Sequence, residues 1–128
     1  MAAVGRRPLR VANSSGFYGD RLAAPREMLE GGPIDVLTGD YLAELTLLIL
    51  GKARERDPSA GYAVTFLRQM EDVLRLAKDR GVRVVTNAGG LHPAGLPAST
   101  SILPRADGDV VSGWLPDMSR AVSGLAVA

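Results

Sequence analysis

Three short apolar runs, each ending in small polar residues, set the pattern of this 128-residue chain. They occupy residues 9–13, 34–38 and 82–86, and serine, glycine or asparagine follows each of them. A short and nearly continuous apolar run bounded by turn-forming residues is typical of a strand buried in a parallel sheet. The pattern therefore predicts three strands, each leading into a polar loop.

A helix is predicted between the first two strands. Residues 20–24 have the composition of a turn, and Pro25 is tolerated as the first residue of a helix because its missing N–H would have no partner there. The Gly31-Gly-Pro33 sequence is a strong stop for that helix. We therefore expect a short helix beginning at Pro25 and ending before Gly31.

Two further helices are predicted between the second and third strands. The first, residues 41–56, follows Asp40 and is apolar around most of its circumference, which predicts a buried helix. The second, residues 62–80, carries apolar side chains at three- and four-residue spacing and is followed by Gly81. This stripe predicts an amphipathic helix, and Gly81 suits the left-handed position at its end.

The predicted order β-α-β-α-α-β indicates the α/β class: a three-layer parallel sheet with flanking helices, incomplete because three strands are few for an open sheet. Parallel strands joined by right-handed crossovers bring their carboxyl ends to one edge, where ligands of open α/β sheets bind. We therefore expect one site on the loops after the strands. Residues 1–97 form this predicted domain, whereas residues 98–128 lack a clean period and are interpreted as a divergent tail, disordered or frame-shifted.

Composition excludes several kinds of chemistry. The chain has no cysteine and one histidine, which rules out thiolate zinc sites, a cysteine nucleophile and a multi-histidine metal site within one chain. A net charge of +1 gives no reason to expect a nucleic acid partner. No apolar run approaches the roughly 20 residues that span a bilayer. The first residues lack the apolar core of a secretory signal, so a cytoplasmic location is expected.

The loop after the first strand is a candidate binding element. Backbone N–H groups in such a loop can bind a phosphate or a carboxylate. The candidate binding residues are Ser14, Ser15, Gly16, Tyr18 and Asp20. The glycine spacing matches neither the dinucleotide fingerprint nor the P-loop, and a structural turn is the alternative. A serine nucleophile with His92 as its base is a weak hypothesis because no G-x-S-x-G elbow is present.

The loop after the second strand supplies Asp40, Tyr41 and Glu44 as candidate binding residues. In the simplest interpretation, Asp40 is the N-cap of the next helix. Alternatively, Asp40 and Glu44 form a carboxylate pair for acid–base chemistry or for a hard cation. Glu44 alone would complement the helix dipole.

The loop at residues 87–93 is the strongest functional candidate. Gly89 and Gly90 permit left-handed backbone and a close approach of backbone amides to a ligand. Asn87 can orient a carbonyl group, and histidine is the side chain that most readily exchanges a proton near neutral pH. Asn87 and His92 are therefore the candidate catalytic residues, with an ordinary loop role for His92 as the alternative.

Four segments of the chain resemble the N-terminal domain of the acyclic terpene utilisation (AtuA) family. They are Gly16-Phe-Tyr-Gly-Asp-Arg21, Gly31-Gly-Pro-Ile-Asp-Val-Leu-Thr-Gly-Asp-Tyr-Leu-Ala-Glu-Leu45, Phe66-Leu-Arg-Gln-Met70 and Asn87-Ala-Gly-Gly-Leu-His-Pro-Ala-Gly95. The resemblance runs from about Leu9 to Leu96 with similar linker lengths. Beyond about Ala98 none is seen.

The resemblance implies a role in the bacterial breakdown of acyclic isoprenoids of the citronellol or geraniol type through CoA thioesters. It implies an isoprenoid acid or its CoA thioester as the small-molecule ligand, and it names neither a cofactor nor a reaction. The alternatives are a non-catalytic binding or assembly module for an acyl-CoA carboxylase subunit, and an inactive truncated product. The truncated product is considered because family proteins are longer and the composition after Ala98 suggests a reading-frame change rather than a divergent but genuine end.

Overall fold

The computed structural model of the chain describes residues 7–98 and 110–112, in which strands and helices alternate. In chain order the elements are β1 (Val11–Asn13), α1 (Ala24–Glu30), β2 (Val36–Gly39), α2 (Glu44–Arg56), α3 (Val64–Asp79), β3 (Arg83–Thr86), α4 (Gly95–Ala98) and β4 (Val110–Ser112). The first six follow the predicted order β-α-β-α-α-β.

The four strands form one parallel sheet in the order β1-β2-β3-β4. The register places Ala12 beside Leu37 and Leu37 beside Val84, so these side chains share one face of the sheet. β4 pairs with β3, inside the segment interpreted as a tail. The α/β class, with a parallel sheet and flanking helices, is thus confirmed, and the sheet has one strand more than predicted.

The main core lies between α3, α1 and that face of the sheet. α3 packs on α1 and on β3, and α1 also contacts β1 and β2. The buried apolar members of this cluster include Leu29, Leu37, Phe66, Met70, Val73, Leu74, Ala77 and Val84. Five of them lie on α3 at the predicted three- and four-residue spacing, so the amphipathic pattern of α3 is confirmed.

The boundaries of α1 and α3 follow the predicted local chemistry. Pro25 is in the first turn of α1, where its missing N–H removes no intrahelical hydrogen bond, and the helix ends just before Gly31. Gly81 has a φ of +66°, the left-handed conformation that leads the chain from α3 into β3.

The prediction that α2 is a buried helix was wrong. Only Thr46 and Leu50 of this helix are buried. Its large exposed apolar residues are Leu45, Leu48 and Ile49, with exposed fractions of 67%, 55% and 39%. Apolar residues occur around the whole circumference of α2, but the described elements cover only part of it. One side of α2 therefore remains in solvent.

The domain boundary after residue 97 stays a prediction. Most of the segment 98–128 lies outside the described residues, and so do residues 1–6. Within the segment, Ala98 ends α4 and Val110–Ser112 forms β4.

Candidate functional site

The described strands β1, β2 and β3 end at one edge of the sheet, and a cavity of about 360 Å³ lies at that edge. Its lining residues are Asn13, Thr38, Gly39, Asp40, Val85 and Asn87. Two of the lining side chains are carboxamides, one is a carboxylate and one is a hydroxyl. The cavity therefore offers several hydrogen-bonding groups at the position where open α/β sheets bind ligands.

Asn87 connects the end of β3 to the loop after β2. Its Nδ2 donates to Asp40 Oδ1 at 2.6 Å, and its Oδ1 accepts the backbone N–H of Tyr41 at 2.8 Å. Asp40 Oδ1 also accepts the Leu42 N–H at 3.3 Å. Asp40 Oδ2 has no partner among residues 7–98 and 110–112. One carboxylate oxygen and the second Nδ2 hydrogen are thus left for a ligand.

The interpretation of Asp40 as the N-cap of α2 was wrong. The helix begins at Glu44, and no side chain caps its N-terminus. Asp40 lies four residues earlier, where its hydrogen bond to Asn87 holds it at the end of β2. The competing partner is 47 residues away in sequence, which is why local reasoning favoured the cap.

Ser14 and Ser15 are both buried, and their hydroxyl groups face backbone carbonyls. Ser14 Oγ donates to Thr38 O at 3.2 Å, alongside its own N–H at 2.9 Å. Ser15 Oγ lies 3.0 Å from Phe17 O and 3.2 Å from Asp40 O, either of which can accept its proton. These hydroxyls therefore hold the loop after β1 against the end of β2 and the residue that follows it.

The loop after β1 is held in shape by hydrogen bonds to the carboxylate of Asp20, which lies in the same loop. Asp20 Oδ2 accepts the Gly16 N–H at 2.9 Å, and Oδ1 accepts the Arg21 N–H at 2.8 Å. These two backbone hydrogen bonds, that of Gly16 first, hold the pKa of Asp20 below its usual value. Asp20 thus occupies an amide that an external anion would otherwise bind. Tyr18 is partly buried and packs against the main core.

Tyr41 is buried in the core, whereas Glu44 lies on the surface. The Tyr41 ring is 1% exposed, packs edge to face on Phe66 at a centroid distance of 5.6 Å, and its hydroxyl donates to Gln69. Burial raises the pKa of the Tyr41 phenol. Glu44 is exposed at the first residue of α2, and no contact with Asp40 is found among the described residues.

The glycine loop after β3 packs closely against α2. Gly90 has a φ of +53°, and a Cβ there would stand 2.7 Å from both Gly61 O and a methyl carbon of Leu50. Gly89 is buried beside it. His92 is partly buried, and its Nδ1 accepts a hydrogen bond from Arg54 of α2. His92 is not among the residues lining the cavity.

Sequence reasoning missed three residues. Asn13 was assigned to a strand and Thr38 to another, yet both line the cavity because they occur where their strands end. Arg54 was not among the candidate site residues that the sequence suggested. The alternation of polar residues after apolar runs was a usable clue for Asn13 and Thr38, whereas no local pattern indicates the pairing of Arg54 with His92.

The described residues contain no group of three or more histidine, aspartate or glutamate side chains arranged to hold a metal ion. Their helices also include none that is long and apolar enough to cross a membrane.

The comparisons with known proteins give one finding. A family model described as acyclic terpene utilisation family protein AtuA matches residues 9–108. The match extends past Ala98, where inspection of the sequence found no resemblance. No curated protein matches the chain, and no solved structure does.

Proposed function

The chain belongs to the acyclic terpene utilisation family AtuA, and from this premise we propose that it acts in the breakdown of acyclic isoprenoids of the citronellol or geraniol type. In this proposal it binds an isoprenoid acid or its CoA thioester in the cytoplasm, at the carboxyl edge of the sheet. The observation that carries the proposal is the cavity of about 360 Å³ lined by Asn13, Asp40 and Asn87. This volume is at the lower end of the usual range for ligand pockets.

The roles of the individual residues follow the three loops. Asn87 and His92 are the proposed catalytic residues. The proposed substrate-binding residues are Ser14, Ser15, Gly16, Tyr18, Asp20, Asp40, Tyr41, Glu44, Gly89 and Gly90. Their contacts favour two different roles. Asn87 and Asp40 face the ligand. The backbone hydrogen bonds of the other polar side chains hold the loops in place, and these residues are Ser14, Ser15 and Asp20.

Charge and hydrogen-bonding capacity favour the thioester over the free acid. Asn13 Oδ1 faces the Ser15 N–H and the Thr38 hydroxyl, each at 3.4 Å, which leaves its NH₂ group for a ligand. With the free hydrogen of Asn87, the cavity offers amide donors that suit a carbonyl oxygen. Asp40 adds a negative charge that would repel a carboxylate ligand. A neutral thioester carbonyl therefore fits this site better than an acid does.

Calorimetric titration of the chain with geranoyl-CoA, geranic acid and free CoA tests this proposal. We expect geranoyl-CoA to bind more tightly than geranic acid or CoA alone. Asp40→Asn should tighten geranic acid binding about fivefold, since two like charges about 4 Å apart in water repel by roughly 1 kcal/mol. Asp79→Asn, which removes the same charge at an exposed residue of α3, should leave all three affinities unchanged. Equal binding of acid and thioester by the wild-type chain would contradict the proposed preference.

A second candidate function is a non-catalytic assembly module for an acyl-CoA carboxylase subunit. It is favoured by the apolar side of α2, where Leu45, Leu48 and Ile49 are exposed at helical spacing. Under this alternative a carboxylase subunit co-purifies with the chain in the absence of any ligand, and the double substitution Leu45→Gln with Leu48→Gln abolishes that association. An inactive truncated product would show neither ligand binding nor a partner.

A further inference from the structure

His92 and Arg54 make a contact that fixes where the imidazole carries its proton. Arg54 Nη1 and His92 Nδ1 are hydrogen-bonded. A guanidinium group has only donors, so Nδ1 must be the acceptor in this pair. The neutral ring then carries its hydrogen on Nε2. No described residue accepts that hydrogen.

The surroundings hold both partners of this pair. A Cβ on Gly95 would stand 1.9 Å from His92 Cδ2 and 2.5 Å from its Nε2, so the ring rests directly against this glycine. Arg54 Nη1 also donates to Ala60 O at 3.3 Å. A Cβ on Gly61 would lie 3.3 Å from the His92 Cβ and 3.5 Å from the Arg54 Cδ, so this glycine adjoins both side chains. Rotation of the ring would therefore cost both the hydrogen bond and the packing.

We propose that Arg54 is a positioning residue that holds His92 in the Nε2–H tautomer, so that the neutral ring donates a hydrogen bond through Nε2 and does not act as a base. The tautomer itself rests only on the Arg54 contact. A neutral imidazole whose Nδ1 is occupied and whose Nε2 carries hydrogen has no free lone pair with which to remove a proton.

This assignment changes the serine hypothesis. A base for Ser14 or Ser15 needs an unprotonated ring nitrogen within hydrogen-bond reach of the hydroxyl. His92 offers no such nitrogen, and both hydroxyls face backbone carbonyls instead. Donation of a hydrogen bond through Nε2–H is the chemistry that remains for a neutral His92 held in this way.

Nitrogen NMR can test the tautomer directly because His92 is the single histidine of the chain. Long-range ¹H–¹⁵N correlation spectra of the uniformly labelled chain, recorded without ligand at a pH where the ring is neutral, distinguish the two nitrogens. We expect the Nε2–H pattern for the wild-type chain. Arg54→Met, which removes the donor, should shift His92 toward a mixture of tautomers, and Arg54→Lys, which keeps a donor, should restore most of the Nε2–H form.

The matched control is Arg56→Met, which removes the same charge from an exposed residue of the same helix turn. It should leave the His92 spectrum unchanged. An Nδ1–H pattern in the wild-type chain would overturn the proposal whether or not any variant folds, and so would an unchanged spectrum in a folded Arg54→Met variant. Binding of geranoyl-CoA is measured separately, so failure of the proposed function leaves the tautomer result standing.

Discussion

The two edges of the sheet each hold a carboxylate, but only one of the two has hydrogen-bonding capacity to spare. At the amino edge, Asp35 accepts two hydrogen bonds from the Arg7 guanidinium at 2.8 and 2.7 Å and three from the side chain and N–H of Arg10. At the carboxyl edge, Asp40 accepts from Asn87 and the Leu42 N–H through one oxygen, and the other has no partner among the described residues. Both oxygens of Asp35 are thus engaged within the fold, whereas Asp40 has one oxygen that no hydrogen bond of the described residues uses.

Cavity size alone would favour the amino edge of the sheet. The amino edge has the larger cavity, about 600 Å³, and arginines line it. Arg7 and Arg10 are bound to Asp35, however, and Arg80 donates to Leu29 O. The smaller cavity at the carboxyl edge keeps unpaired hydrogen-bonding groups, which is why it is the better candidate site.

The largest expected effect on the free energy of unfolding is a difference between the two glycines on either side of β3. Gly90 and Gly81 both have positive φ, +53° and +66°, but a Cβ on Gly81 meets nothing within 4 Å. Gly81→Ala should therefore cost about 1–2 kcal/mol for the left-handed backbone alone. Gly90→Ala should cost about 1–3 kcal/mol more, because its Cβ would collide with Gly61 O and Leu50. Urea unfolding measures both, and equal midpoints would mean that the loop after β3 is not closely packed on α2.

The next largest effect on the free energy of unfolding concerns the hydrogen bonds by which Asn87, just after β3, holds the loop after β2. Asn87→Ala removes the acceptor of the Tyr41 N–H, and a buried donor left without a partner costs about 1–3 kcal/mol. Asn13→Ala is the control at the same edge, since Asn13 is exposed and its two hydrogen bonds are 3.4 Å long. We expect Asn13→Ala to cost less than Asn87→Ala in urea unfolding. The reverse order would show that Asn87 does not hold the loop.

Patterns within one element were readable from the sequence. The strand positions, the stripe of α3, Pro25 in the first turn of α1 and the left-handed Gly81 all follow from residues a few positions apart, and the structure confirms them. Each depends on backbone geometry or on a local hydrophobic period. Those forces act at short sequence distance, so neighbouring residues carry the information.

Contacts between residues far apart in sequence could not be predicted from the sequence alone. Asp40 has the sequence context of an N-cap, and only its partner Asn87, far along the chain, shows why it is not one. Likewise, the apolar circumference of α2 gives no hint that Leu48 faces solvent, because burial depends on what packs against the helix. The contact between Arg54 and His92 is of the same kind. The candidate loops were found correctly as strand ends, but the roles of their side chains depend on such pairings.

Asp35 should make the fold sensitive to acid. Hydrogen bonds from Arg7, and then from Arg10, hold its pKa well below the usual range. A folded pKa below the unfolded value of about 4 contributes stability above that pH, and the contribution is lost as the pH falls. Asp35→Asn should therefore be less stable than the wild-type chain at pH 7, with a difference that narrows below roughly pH 4. The effect should be modest and reduced by salt, because both arginines are largely exposed.

Urea unfolding at pH 7 and pH 3 measures this difference. Other acid-sensitive ion pairs, such as Asp72 with Arg26, are present in both the wild-type chain and the Asp35→Asn variant. Their contributions therefore cancel when the two are compared. A gap that stayed constant with pH would mean that Asp35 titrates in the folded chain as it does in the unfolded one.

The smallest expected change in stability is that of Asp40→Asn. The new side chain keeps an oxygen that can accept from Asn87 Nδ2 and from the Leu42 N–H, and residue 40 is exposed. Its free energy of unfolding at pH 7 should thus lie within about 0.5 kcal/mol of the wild-type value, as for most surface substitutions. The same substitution should alter the preference between geranic acid and geranoyl-CoA. If Asp40→Asn instead destabilised the chain at least as much as Asp35→Asn does, the second carboxylate would also be a structural residue. The carboxyl edge would then lose the spare charge on which the proposed ligand preference depends.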